Sequence, residues 1–285
     1  MEIPNVSSTV DSFIETATAD QILTGESIPK YRVAIGTFVR IIGDLPVTEI
    51  TGDRFRELKT RMVAQGAGPS HINGVIHAMK RFLHYCRYNR KLPIPDLTDV
   101  VPMKVPRRAV TYLTAEEVDQ FVSTIKVHNR NGTVHMHGLC FRTLIETVAG
   151  SGMRISEALS IDRLAIDWKD HQARIVGKGG KQRPVFFIER AMRWLRRYVE
   201  QRTDRHPALF ISARSGKRLS RNEAQRLCRL AVLKSGIKKP ITLHILRHTF
   251  ATTLLKNGCP IGHIQGLLGH ERLETTCRYL PGIDG

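Results

Sequence analysis

Apolar residues recur at intervals of three and four through most of the chain, and the elements they predict are mainly helices. Ser27-Ile28-Pro29 reads as a helix start, with Tyr31, Ile35, Phe38, Val39 and Ile42 following on one face. Thr51-Gly52-Asp53 opens a second helix carrying Phe55, Leu58 and Met62, which the stretch Gln65-Gly-Ala-Gly68-Pro69 breaks. Ser70 is the expected cap of a long helix with Ile72, Val75, Ile76, Met79, Phe82, Leu83 and Cys86 on its apolar face. His77, Lys80, Arg81, His84 and Arg87 fall on its other faces, where they are either a solvated surface or a contact for phosphates.

The period then fails. Lys91-Leu-Pro-Ile-Pro95 and Val101-Pro-Met-Lys-Val-Pro-Arg-Arg108 are basic and punctuated by proline, which predicts a domain boundary. Helical spacing resumes after Thr114-Ala-Glu-Glu117, a capping box in which Thr114 caps and Glu117 reaches back. Further helices are expected over 141–148 and 155–159. Three short β-rich runs, 163–167, 172–176 and 183–188, predict a small three-stranded antiparallel sheet. Helices are expected again over 191–199, from a second capping box at Ser220-Arg-Asn-Glu223 through Leu233, around 246–256, and over 261–268. No internal repeat or low-complexity tract interrupts the pattern.

Composition narrows the classes. The 285 residues suffice for one large domain or two ordinary ones, and 41% are hydrophobic, enough for a real core. The 44 Lys and Arg outnumber the 26 Asp and Glu, giving a formal net charge of +18. Such an excess points to a polyanion, nucleic acid before an anionic membrane surface. No stretch is apolar enough for a membrane span, and the acidic, polar start MEIPNVSSTVDSF does not read as a secretory leader, so the expected location is cytoplasmic. The five cysteines, Cys86, Cys140, Cys228, Cys259 and Cys277, contain no C-x-x-C pair and are expected as free thiols. His135 and His137 have no cysteine or carboxylate cluster at ligand spacing, so no metal is expected there. Gly177-Lys178-Gly179-Gly180-Lys181 lacks the spacing of a nucleotide phosphate loop, although a lysine at a hairpin tip can reach a phosphate.

Three other clusters bear on chemistry. Gly150-Ser-Gly-Met-Arg154-Ile-Ser-Glu157 places an arginine at a helix start with a carboxylate one turn later. His244-Ile-Leu-Arg247 puts an imidazole and a guanidinium on one helical face. Leu268-Gly-His270 precedes Tyr279 by one short segment. Taken singly, an ion pair, a satisfied histidine and a packed tyrosine explain each.

Taken together, the chain resembles the tyrosine recombinase (phage integrase) family over nearly its whole length. GSGMRISEALSI is similar to the family's first arginine box and RIVGKGGKQRPV to its lysine hairpin. ITLHILRHTFATTLLKNG is similar to its H-x-x-R box, and IQGLLGHERLETTCRYL to its closing box. A looser likeness to the family's core-binding domain rests on Tyr31, Phe38, Pro46-Val-Thr-Glu-Ile50 and the 70–85 helix. The resemblance implies a mainly α fold with a small antiparallel β-sheet (α+β). It implies a helical, SAM-like core-binding domain over 1–95, a basic linker over 96–112 and a catalytic domain over 113–285, together a C-shaped clamp around DNA.

By position, the resemblance implies a catalytic set of Arg154, Lys178, His244, Arg247, His270 and Tyr279. Arg154 and Arg247 would clamp the phosphate, Tyr279 would attack it, His244 would be the base, Lys178 the acid, and His270 a phosphate contact. Glu157 would orient. The implied reaction is metal-independent cleavage and rejoining through a 3′-phosphotyrosyl ester and a Holliday junction, without cofactors. The implied partners are double-stranded DNA at specific sites and a homo- or hetero-tetramer on paired sites, with accessory proteins left open.

The minimal plan looks more like Xer recombinases and transposon resolvases than like arm-binding integrases, with core-binding helices starting near the N-terminus. Only Leu280-Pro-Gly-Ile-Asp-Gly285 follows Tyr279, and Pro281 and Gly282 oppose a docking helix, so weak association without DNA is expected. Two alternatives remain at this point: DNA relaxation of the type IB topoisomerase kind, and a catalytically silent DNA-binding relative.

Overall fold

Helices form in the first hundred residues where the apolar intervals fall: α1 (Val6–Ala19), α2 (Ile28–Ile42), α3 (Gly52–Ala64) and α4 (Pro69–Tyr88). The structure, a computed structural model, describes residues 3–23, 25, 27–106, 111–177, 180, 182–277 and 279. The chain divides into two units, Met1–Arg107 and Arg108–Gly285. The pattern alone does not single out α1, because Ser7, Ser8, Ser12 and three threonines dilute it; even so, Val6, Phe13, Ile14 and Ala17 are buried.

Phe13 centres the aromatic core of this unit, edge-on to Phe82 at 5.7 Å and tilted against Tyr85 and Tyr31 at 5.6 and 6.0 Å. The long helix α4 presents its predicted apolar face to this core. Its start differs from expectation. Gly68 is the N-cap and Pro69 stands in the first turn, so Ser70 lies inside the helix. A proline's fixed φ and missing N–H suit the first helical position, and that preference displaces the serine cap.

The proline-rich stretch after α4 is fastened down. Arg87 donates to the carbonyls of Ile94 and Pro95 at 2.6 and 2.8 Å, and Lys80 to that of Val100 at 2.8 Å. Asn73 both donates to and accepts from Met103, while Ile94 and Val100 enter the core. Two of the basic residues on α4 thus hold backbone carbonyls, whereas His77, Arg81 and His84 stay exposed. Residues 107–110 of the expected linker lie outside the described residues.

The second unit begins with α5 (Ala115–Ser123), where both halves of the Thr114–Glu117 capping box form. Its central helix is α6 (Met136–Ser151), buried on almost every side and packed against α8 (Glu189–Glu200) and α10 (Leu243–Lys256). The short α7 (Ile155–Ser160) leads into an antiparallel sheet of β1 (Ile166–Asp167), β2 (Gln172–Val176) and β3 (Gln182–Phe186), in that spatial order. Ala173 pairs with Val185, and both point into the core, the alternation expected of a sheet with one covered face. Of the expected run 163–167, only the last two residues are strand. Arg163–Ala165 is a 3₁₀ turn, held by the Arg163 N–H on the Pro207 carbonyl, with Leu164 out in solvent.

Helix α9 (Arg221–Ser235) is capped by Ser220, which accepts from the Glu223 N–H. The reciprocal half of that expected box takes another route, since the Glu223 carboxylate accepts from the Ser212 hydroxyl at 2.9 Å. Helix α10 starts three residues before the expected 246, at Leu243, and the hydroxyl of its N-cap Thr242 accepts from the Ile245 N–H. The chain continues through α11 (Ile261–Leu268) and the single turn α12 (Leu273–Thr276) to Tyr279. All five cysteines are free thiols. No helix among the described residues is long and apolar enough to cross a membrane.

Candidate active site

Two glycines in left-handed conformation shape the site. Gly152 ends α6 at φ 65°, and a Cβ there would stand 2.3 Å from the Phe250 ring. Gly269 ends α11 at the same φ, and a Cβ would meet Arg183 at 2.5 Å. Only glycine meets both demands, open φ space and close approach, without strain.

These turns offer carbonyls to two guanidinium groups. Arg247, in the second turn of α10 and only 1% exposed, donates to the Gly152 carbonyl at 2.9 Å and to the Leu268 carbonyl at 2.8 Å. Arg183, on β3, donates to the Leu267 carbonyl at 2.8 Å and to Glu157 at 3.0 Å. Carbonyls at a helix end carry partial negative charge, so they suit cations. The two arginines lace the α6–α7 turn and the sheet to the end of α11.

Arg154 is the N-cap residue of α7, and the Glu157 carboxylate holds it twice. Its backbone N–H donates to Glu157 at 2.7 Å and its guanidinium at 2.9 Å. Glu157 is buried, while the Arg154 side chain is 40% exposed. Arg154 lines two adjoining clefts. One, of about 550 Å³, also holds His244, Arg221 and Arg229; the other, of about 510 Å³, holds Arg183, His270 and Arg272. Arg154 and Arg183 therefore share the buried carboxylate of Glu157, while Arg247 is held by backbone carbonyls. An excess of fixed positive charge remains, and it favours an anion.

The imidazoles respond to that charge. Partial burial first, then Arg247, Arg154 and Arg183, push His270 down to about 4. His244 keeps an exposed edge, yet it too lies below the ordinary imidazole range, through loss of hydration and then the cations Arg247, Arg154 and Arg221. Both are neutral at pH 7. His270 Nδ1 lies 2.8 Å from the Thr276 hydroxyl, so Thr276 can donate to it and leave Nε2 as the proton-bearing atom. Burial lowers Arg247 to about 10, still charged at neutral pH.

Tyr279 is 3% exposed, packed on Ala251, Ile264 and Leu268. Its ring stacks on His270 at 6.4 Å, and its hydroxyl lies 3.1 Å from His248 Nδ1. The structure thus gathers Arg154, His244, Arg247, His270 and Tyr279 in one region. Lys178, at the β2–β3 hairpin, and the tail segment 280–285 lie outside the described residues.

Sequence reasoning missed Arg183 and His248. The signal for His248 was its place four residues after His244, on the same helical face; nothing local marks Arg183, whose partners come from distant segments. His135 and His137 do not share a ligand. His135 Nδ1 faces the Lys126 carbonyl at 3.1 Å, and His137 Nε2 lies 3.6 Å from Glu223.

Comparison with known proteins gives the family. The phage integrase family matches residues 111–281. Tyrosine recombinase XerC of Chlamydia muridarum is 35% identical over 261 residues, 90% of this chain and 80% of that protein. Tyrosine recombinase XerC of Chlamydia pneumoniae is 29% identical over 90% of this chain and 81% of that protein. Among solved structures, a lambda integrase tetramer bound to a Holliday junction has a similar fold. Its TM-score is 0.77 at 17% identity, covering 96% of this chain and 77% of that one. The chain belongs to the phage integrase family and is an enzyme of the tyrosine recombinase type.

Proposed function

We propose that this protein is a site-specific DNA recombinase that cuts and rejoins strands through a covalent bond between Tyr279 and a backbone phosphate. The observation that carries the proposal is a phenol hydroxyl hydrogen-bonded to an imidazole beside three arginines, two of which share one carboxylate while the third is held by backbone carbonyls. Attack on a phosphodiester builds charge on the non-bridging oxygens. The half-exposed Arg154 can meet them through a fork of N–H donors, and Arg247 stands behind it. One well-placed donor of this kind is worth roughly 3–4 kcal/mol in the transition state.

Neutral His270 can donate a hydrogen bond to a phosphate oxygen. The phenol, with a reference pKa of about 10, needs a proton acceptor, a role that falls to the imidazoles of α10. The departing 5′-hydroxyl needs a proton, and Lys178 on its hairpin is the proposed acid. The phosphotyrosyl ester conserves the energy of the broken bond, so a 5′-hydroxyl from a second strand can displace the tyrosine.

The partners on this reading are double-stranded DNA at specific sites, bound by a core-binding unit (1–95 and its linker, 96–112) and a catalytic unit (113–285). A tetramer on paired sites and a Holliday-junction intermediate follow from the need to exchange two pairs of strands. The proposed location is cytoplasmic. Recombination of a plasmid bearing two copies of the target site tests the function, the site being found by trapping and sequencing covalent adducts from the source genome. Exchange between the copies is the expected result. Relaxation of supercoils at many sequences without exchange would instead make the chain a topoisomerase.

A further inference from the structure

The catalytic set read from the sequence assigns the phenol's proton to His244. The geometry around Tyr279 points elsewhere. We infer that His248 is the base that takes the Tyr279 proton as the phenol attacks and returns it when the strand is resealed. The inference rests on Tyr279 being the nucleophile.

His248 Nδ1 lies 3.1 Å from the Tyr279 hydroxyl, inside the reach a general base requires. The rings also touch, with centroids 5.3 Å apart and planes at 61°. The phenol is 3% exposed, so bulk water has little access to its proton. His244 stands one helical turn earlier, edge-on to His248 at 4.4 Å. It is exposed and lines the same cleft as Arg154, which places it for a phosphate oxygen. The two imidazoles of α10 thereby divide the work: His244 faces the phosphate and His248 serves the nucleophile.

The step balances. The bond from the Tyr279 oxygen to phosphorus forms and the bond from phosphorus to the 5′ oxygen breaks. The phenol proton passes to His248 Nδ1, with Nε2 already carrying its own proton, and the departing 5′ oxygen takes a proton from the acid. In rejoining, the imidazolium of His248 reprotonates the leaving phenolate.

Single-turnover cleavage of a nicked DNA site separates a base from a merely positioning hydrogen bond. His248→Ala removes both functions, whereas His248→Asn keeps an acceptor that cannot take a proton. Both should cleave about 100-fold or more slowly, with DNA binding unchanged. Installing 3,5-difluorotyrosine at 279 lowers the phenol's pKa. It should restore most of the rate to His248→Ala and none to Arg247→Ala, whose defect lies in the phosphate clamp.

Rates for both His248 variants within about threefold of the parent would overturn the inference, as would a normal rate for His248→Asn alone. So would equal rescue of His248→Ala and Arg247→Ala by the fluorinated tyrosine. If His248→Ala fails to bind DNA, the Asn variant and its response to difluorotyrosine decide. Peptide mapping of the parent adduct keeps the two questions apart. An adduct elsewhere than Tyr279 overturns the nucleophile itself; an adduct at Tyr279 that ignores His248 overturns only the base.

Discussion

At the scale of single residues, the site depends on cations that lack carboxylates of their own. Arg247 is held by two backbone carbonyls, and Arg154 shares Glu157 with Arg183. Replacing Arg154 or Arg247 by lysine keeps the charge but loses the planar fork. A cleavage-rate loss of about 100-fold or more at each site is expected in single-turnover kinetics; near-parental rates for both variants would remove the clamp from the account.

His270 makes a separate prediction about stability. Its pKa in the folded protein is about 4, against an ordinary value of 6.5. Between those two values the unfolded chain binds a proton that the folded chain refuses. Its contribution to stability is therefore intact above about pH 6.5 and is lost as pH falls toward 4. Denaturant unfolding across that range should show a shallower pH slope for His270→Gln than for the parent. An unchanged slope would show that His270 titrates normally.

At the scale of elements, the two left-handed glycines join the parts of the site. Gly152→Ala forces a Cβ into the Phe250 ring at positive φ, and it displaces a carbonyl that holds Arg247. A loss on the order of 1–3 kcal/mol is expected in denaturant unfolding, together with a fall in cleavage. Gly262, inside α11 with nothing near its missing Cβ, is the control. Gly262→Ala should be neutral or stabilising by roughly 0.5–1 kcal/mol. Equal effects at the two positions would contradict the close-approach argument.

Most elements were legible because their signals are local. The apolar face of α4, the Thr114–Glu117 box, the β2–β3 hairpin and α11 each follow from neighbours in sequence. What was not legible depends on contacts at a distance. The apolar face of α1 is diluted by hydroxyl residues and stands out only once Phe13 meets Phe82 and Tyr85. Glu223 leaves its cap because Ser212 arrives from another segment. In the site, the resemblance to the tyrosine recombinase family pointed to the arginine boxes and Tyr279. The pairing of Tyr279 with His248 needed the fold, since it joins α10 to the chain beyond α12.

At the scale of the whole molecule, the +18 net charge shapes how the protein meets its substrate. Each lysine or arginine that neutralises a phosphate releases a counterion, so affinity should fall steeply with salt. Titration of a DNA site between low and physiological ionic strength should give a log–log slope on the order of several units. A flat dependence would mean that the basic surface does not lie along the duplex.

The central claim is that Tyr279 forms the covalent bond to DNA. The most direct measurement is incubation with a nicked DNA site, denaturation, and peptide mapping of whatever protein remains attached. The account predicts an adduct on the Tyr279 peptide in the parent, and none with Tyr279→Phe at near-normal DNA binding. An adduct of undiminished yield on the Tyr279→Phe protein would contradict it.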